Sequence, residues 1–254
     1  MKIVACYKYV PEEQDIAVKG DQTLDFSSAQ WKVGQYDLNA VEASMKLGEV
    51  EGGEVLALTA GGENLGNAKL QKGILSRGPA QMFGVKDAAL DGVDSYATAS
   101  VLKAGIEKIG SVDLVLCGEG SGDSYSQQVG PVLGSLLGWP TVNAVSKITP
   151  NGGKLTVERS LENGIEILEV ALPAVVCVTS DINLPRIPSM KEILAAGKKP
   201  VTIWNLSDIS ASAQGVTETA SILAPEQANR SQIIIEGSGE AEIETLFNHI
   251  RKAI

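Results

Sequence analysis

The chain has 254 residues, 44% of them apolar and 20% charged, which allows one or two domains with a proper core and excludes a disordered, collagen-like or coiled-coil sequence. With three Trp, five Tyr and three Phe the core has to be aliphatic, and 21 Lys and Arg against 31 Asp and Glu give a net charge of −10, which repels nucleic acid. No apolar run reaches the ~18–20 residues that cross a bilayer, and Ile3-Val4-Ala5-Cys6 is too short and too soon followed by Lys8 for a signal peptide. The expectation is a soluble, unexported, cytoplasmic protein with no nucleic-acid partner and no membrane insertion.

In chain order, residues 2–8, 54–60, 80–85 and 112–117 are short apolar runs bounded by Gly, Pro or charge, and they read as buried strands. Between them lie segments with helical spacing: Leu38, Val41 and Met45; Leu65 with Ala68, then Leu70 with Ile74; and Ala97, Val101, Ile106 and Ile109. Strand alternating with helix predicts an α/β fold, a mostly parallel Rossmann-like sheet flanked by helices. Right-handed crossovers would place the strands' C-terminal ends along one edge, where open sheets bind ligands.

Beyond about residue 140, Asn151-Gly152-Gly153 and Asn163-Gly164 turns flank Lys154–Ser160 and Ile165–Val170, followed by Ala174–Ser180, and predict an added antiparallel meander. From Pro200 to about Gly239 the chain is rich in Ser, Ala, Thr and Gln, with only Ile233-Ile234-Ile235 and a helix over Glu240–Ala253 reading as ordered. The expected division is therefore a nucleotide-binding unit over 1–199 and, over 200–254, an arm that wraps a partner.

Cys6, Cys117 and Cys177 are far apart in sequence, without a Cys-x-x-Cys pair, and read as small buried strand residues. The one histidine, His249, sits beside Arg251 and Lys252 at a helix end, where a cation suits the dipole. Neither a metal site nor a catalytic nucleophile is expected. What remains is a protein whose chemistry belongs to a cofactor, or a binding protein.

The run Gly118-Glu119-Gly120-Ser121-Gly122-Asp123-Ser124-Tyr125-Ser126-Gln127-Gln128-Val129-Gly130-Pro131 follows an apolar strand and enters the helical pattern Val132, Leu133, Leu136, Leu137. Such a loop is either a Gly-rich turn with a capping Asp or Ser, or an anion site. In the second case backbone N–H groups and the helix dipole hold phosphate, Ser121, Ser124 and Ser126 add hydroxyls, and Gln127 or Gln128 reaches ribose or phosphate. The stretches Tyr7–Pro11, Thr59–Glu63 and Gly34–Asn39 should reach the same edge, with Asp37 or Asn39 either capping a helix or touching a ribose, and with Lys8 as the one cation. Three or four such loops suggest an adenine nucleotide across the sheet edge. A nicotinamide dehydrogenase of the doubly wound type is excluded because Lys8-Tyr9-Val10-Pro11 lacks glycine. An activating synthetase is poorly matched, because Ser121-Gly122-Asp123-Ser124 follows the wrong strand and lacks a second glycine.

The run Leu172–Lys199 carries Leu-Pro-x-Val, then Asn-x-Pro-Arg with a projecting loop over Pro185, Arg186, Ile187, Pro188, Ser189 and Met190, then a helix ending in lysines. In this it resembles the small (beta) subunit of electron transfer flavoproteins. The resemblance continues through Ala5-Cys6-Tyr7-Lys8, Tyr36–Leu47, Val112–Pro140 and Val157-Glu158-Arg159, and is similar above all to the anaerobic members. It implies a heterodimer with a larger alpha subunit that carries FAD, shuttling electrons to or from an acyl-CoA dehydrogenase. It implies that this chain holds either AMP or, in electron-bifurcating relatives, a second FAD that takes hydride from NADH and feeds ferredoxin as the low-potential acceptor. Matching positions assign the nucleotide to Cys6, Asp37, Ala60 and the loop from Gly118 to Val129, and partner docking to Pro185–Met190, with Met190 as apolar anchor. Gln128-Val129-Gly130-Pro131 looks like the bifurcating members, whereas Gly120-Ser121-Gly122-Asp123 and Ala196-Gly197-Lys198-Lys199 depart from the usual pattern. FAD and bifurcation are the expectation, AMP the first alternative, and a stand-alone nucleotide-binding regulator of the same fold the second.

Overall fold

A computed structural model describes residues 1–226 and 232–253. In chain order its elements are β1 (Lys2–Cys6), β2 (Tyr9–Pro11), β3 (Ala17–Val18), β4 (Leu24–Asp25), β5 (Trp31–Val33), α1 (Gln35–Glu51), β6 (Glu54–Gly61), α2 (Ala68–Leu75), β7 (Gln81–Lys86), α3 (Ser95–Ile109), β8 (Leu114–Gly118) and α4 (Val129–Leu137). There follow β9 (Thr141–Asn151), β10 (Lys154–Leu161), β11 (Gly164–Ala171), β12 (Ala174–Val178), α5 (Met190–Ala196), β13 (Val201–Trp204) and α6 (Glu240–Ala253).

Nine strands form one sheet in the order β11-β10-β9-β12-β8-β1-β6-β7-β13, and the small pairs β2–β5 and β3–β4 are antiparallel ribbons. The central strands are apolar along nearly their whole length, as in Val55–Thr59, Leu114–Cys117 and Ala174–Val178, because helices cover both faces of a parallel sheet. On one face α3 and α4 bring Leu102, Ile106 and Leu133 onto Val4, Val115 and Val175. On the other, α1 and α2 bring Ala40, Val41 and Ile74 onto Ile3, Ala5 and Ala57. This is the expected α/β architecture.

Two parts differ from expectation. Ala174–Val178 does not continue an antiparallel meander: β12 inserts between β8 and β9 and is parallel to both, while β10 and β11 form the antiparallel extension. Hydrophobic pattern reports burial and not strand direction, and the long strand β9, which pairs with β12 at Thr141–Val145 and with β10 at Val145–Asn151, is what separates the two pairings. The chain beyond Pro200 is also more ordered than its composition suggests. Val201–Trp204 pairs parallel with β7, and Ile209 is buried with Val85, Leu90 and Val101, so the α/β body continues past the expected boundary at residue 199. Ile233-Ile234-Ile235 forms no strand, the helix over Glu240–Ala253 is present, and residues 227–231 and 254 of the expected arm lie outside the described residues.

Candidate functional site

From β1 the chain crosses over to β6 and β7 on one side and then returns to β8 on the other, so the strand order reverses between β1 and β8. At such a reversal the crossover helices diverge and leave a crevice at the strands' carboxyl ends. A cavity of about 340 Å³ opens there, within the ~300–1,000 Å³ usual for small-molecule sites.

Cys6, Asp37, Ala60, Gly118, Ser121, Asp123, Ser124, Ser126, Gln127, Gln128 and Val129 all line this cavity, whereas Gly122 does not. The stretch 118–130 forms its wall because two glycines allow close approach. A Cβ on Gly118 would lie 2.7 Å from the Tyr36 backbone at the start of α1, and one on Gly130 would lie 2.1 Å from Cys177 Sγ. Without Gly130 the N-terminus of α4 could not descend onto the ends of β8 and β12. No side chain caps α4, and Gln128, Val129 and Gly130 at its start line the cavity. Tyr125 (φ 44°) and Gln127 (φ 56°) take left-handed backbone.

The same loop is tied down on every side. Lys8 Nζ donates to Asp123 Oδ2 at 2.6 Å, Ser121 and Ser124 hydroxyls lie 3.0 Å apart, Ser126 reaches Ser95 at the start of α3 at 3.2 Å, and the Tyr125 ring packs on Tyr36 with centroids 5.1 Å apart. Burial works against the charge on Asp123, but the Lys8 ammonium and the Ser121 hydroxyl outweigh it and hold the carboxyl below its usual value. Lys8 is therefore already neutralised by this chain and strengthens the loop rather than standing free for a phosphate.

Asp37 lines the cavity and also ties its walls together. It is buried, and its Oδ2 accepts the Lys8 backbone N–H at 2.8 Å while the Gly118 N–H bonds the same carboxylate. Burial pushes its pKa up to about 7, against the pull of those N–H groups and the Lys8 charge. It thus joins the ends of β1 and β8, the two strands that frame the crevice. Cys6, Cys117 and Cys177 are free thiols side by side at the ends of β1, β8 and β12. The Cys117 hydrogen bond and burial push the Cys177 thiol well up, so it is inert at neutral pH. Among the described residues no cluster of metal-ligating side chains exists.

The lining also includes Asp91, Gly92 and Val93 from the turn between β7 and α3, Ser95 and Thr98 from the first turn of α3, and Trp31. Sequence reasoning missed these, although Asp91-Gly92 marks a turn and Asp94 caps α3 by accepting the Ala97 N–H at 2.8 Å.

Away from the cavity, Pro185–Met190 follows β12. Asn39 on α1 donates to the carbonyls of Ser180 and Asn183, and buried Glu42 accepts from Arg186 Nε at 2.6 Å and from its backbone N–H at 3.2 Å. Arg186 is spent on holding the loop, with Glu49 as a further partner. Leu184 and Ile187 are left about nine-tenths exposed (91% and 92%), with Met190 and Leu194 also facing solvent. The helix α6 likewise exposes Ile243, Leu246, Phe247 and Ile250, spaced to form one apolar stripe. No helix among the described residues is long and apolar enough to cross a membrane.

The model of the family described as electron transfer flavoprotein domain matches residues 23–209, well over half the chain, and the chain belongs to that family.

Proposed function

We propose that this chain is the beta subunit of a heterodimeric electron transfer flavoprotein, and that the cavity at the β1–β8 reversal holds an FAD that accepts hydride from NADH. In this reading electrons divide between a low-potential acceptor such as ferredoxin and, through an FAD on the alpha subunit, an acyl-CoA dehydrogenase. The observation that carries it is the cavity itself. Its lining runs from Asp91 after β7, past the ends of β1 and β6, to the uncapped start of α4, a span that supports a ligand longer than one mononucleotide. The residues fit the group. The first turn of α4 and the 119–128 loop would hold phosphate through backbone N–H groups, Ser121, Ser124, Ser126, Gln127 and Gln128 would supply side-chain donors, and Cys6 and Ala60 are small enough to leave room at the strand ends.

Bound FAD supplies the hydride and single-electron chemistry; this chain orients it and excludes water. Asp37 and the Lys8–Asp123 pair fix the loops and need no proton transfer. The exposed loop from Leu184 to Leu194 would dock the dehydrogenase, with Met190 as a flexible apolar anchor, and α6 would lie on the alpha subunit. A second reading, AMP as a structural nucleotide in a non-bifurcating carrier, is favoured by the cavity volume, which is near the lower end for small-molecule sites. Anaerobic titration of the purified heterodimer separates the two. If NADH alone bleaches the flavin absorbance, and Asp123→Ala weakens that response, the FAD reading stands. If NADH leaves the flavin oxidised while the dehydrogenase and its acyl-CoA substrate reduce it, the chain is a carrier with AMP.

A further inference from the structure

A second surface adjoins the docking loop. A shallow groove runs between α2 and the start of α5, with Lys69, Lys72, Gly73, Ser76 and Arg77 on one wall and Pro188 and Ile193 on the other. Lys72, Gly73 and Ser76 follow Lys69 by three, four and seven residues, which puts them on one face of α2 and its C-terminal cap. Residues 67–78 contain no acidic side chain, in a protein whose net charge is −10. Among the described residues neither Lys69, Lys72 nor Arg77 pairs with a carboxylate.

Arg77 is the informative member. It is half-buried, one guanidinium nitrogen donates to the Gly73 carbonyl, and its buried Nε has no partner at all. Burial lowers its pKa with nothing acidic to offset the cost. A guanidinium kept partly desolvated without a counterion is a site waiting for an anion. The groove floor is open, since a Cβ on Gly73 would meet nothing within 4 Å.

We propose that this groove is a second contact surface for the redox protein that the Leu184–Leu194 loop docks, and that it takes carboxylates from an acidic face of that partner. The inference rests on the docking reading given above. An extended protein surface suits the groove better than a small anion because the cations are strung over about two helical turns, ~12 Å. Its apolar wall also runs directly into the exposed stripe of Leu184, Ile187, Met190 and Leu194. Charge complementarity of this kind acts on encounter and orientation, outside the electron-transfer step.

The test uses the intact heterodimer and the acyl-CoA dehydrogenase of the same organism, with KM and kcat for electron transfer measured across a salt series. The Lys69→Glu/Lys72→Glu variant should raise KM about tenfold or more, flatten its salt dependence, leave kcat unchanged and retain all nucleotide. Gly73→Glu, which places a carboxylate in open space without touching the lysines, should do the same. If both leave KM and its salt dependence unchanged while Met190→Ala raises KM, the loop docks the partner and the groove does not, which overturns the proposal. If Met190→Ala is also without effect, the docking reading fails and takes the groove with it. If inorganic phosphate stabilises the wild type saturably, Lys72→Glu abolishes this and KM is unmoved, the groove is a small-anion site and the proposal is wrong.

Discussion

Gly130 shows how closely one position can decide the geometry of the crevice. Because its missing Cβ is where Cys177 Sγ sits, Gly130→Ala should push α4 off the sheet and destabilise the protein by about 1–3 kcal/mol, read from urea unfolding. Adding Cys177→Ala should restore most of the loss, which an effect on backbone propensity alone would not allow. Asp37 gives a pH signature. With its folded pKa raised to about 7 and an unfolded value near 3.9, the native state binds the extra proton between those limits. This group therefore lowers stability as pH rises through that window. Urea midpoints measured from about pH 4 to about pH 8 should fall more steeply in the wild type than in Asp37→Asn; equal slopes would contradict the burial assigned to Asp37. The glycine-rich loop was legible because its composition states a backbone requirement. The hydrogen bonds of Asp37 were not, since a carboxylate at the start of a helix reads equally as a cap or a ribose ligand, and its tie to two strand ends is long-range.

The exposed loop after β12 owes its shape to α1. Asn39, Glu42 and Glu49 all reach residues about 140 positions away, so no local pattern in Asn183-Leu184-Pro185-Arg186 could reveal that Arg186 points inward. The loop's projection and its apolar tips were readable from Pro185, Pro188 and Met190; its fastening was not. Arg186→Gln should cost about 3 kcal/mol because it leaves the Glu42 carboxylate buried without its main partner, and Glu42→Gln added to it should recover much of that in a double-mutant cycle. Additive losses would mean that the pair does not interact as drawn. Among the strands, β1, β6, β7 and β8 announced themselves as uninterrupted apolar runs. In contrast β9 is polar at alternate positions and irregular near Ala144 (φ 54°), and β13 is four residues long and only partly buried, so neither rose above its surroundings.

At the scale of the molecule, the crevice, the exposed loop after β12 and the amphipathic α6 lie on different parts of the chain. The mostly parallel sheet flanked by helices was expected from strands alternating with helices, whereas the insertion of β12 beside β8 depends on long-range pairing that periodicity does not encode. Removing residues 239–254 should abolish co-purification with the alpha subunit while leaving the thermal unfolding of the α/β body within a few degrees, since Ile243, Leu246, Phe247 and Ile250 contribute nothing to its core. The central claim is that the cavity between β1 and β8 holds a nucleotide of its own, and the most direct measurement is a count of nucleotides released by acid from the purified heterodimer. Two FAD and no AMP per heterodimer is the predicted result. One FAD with no second adenine nucleotide would contradict the account, because the crevice would then hold no nucleotide.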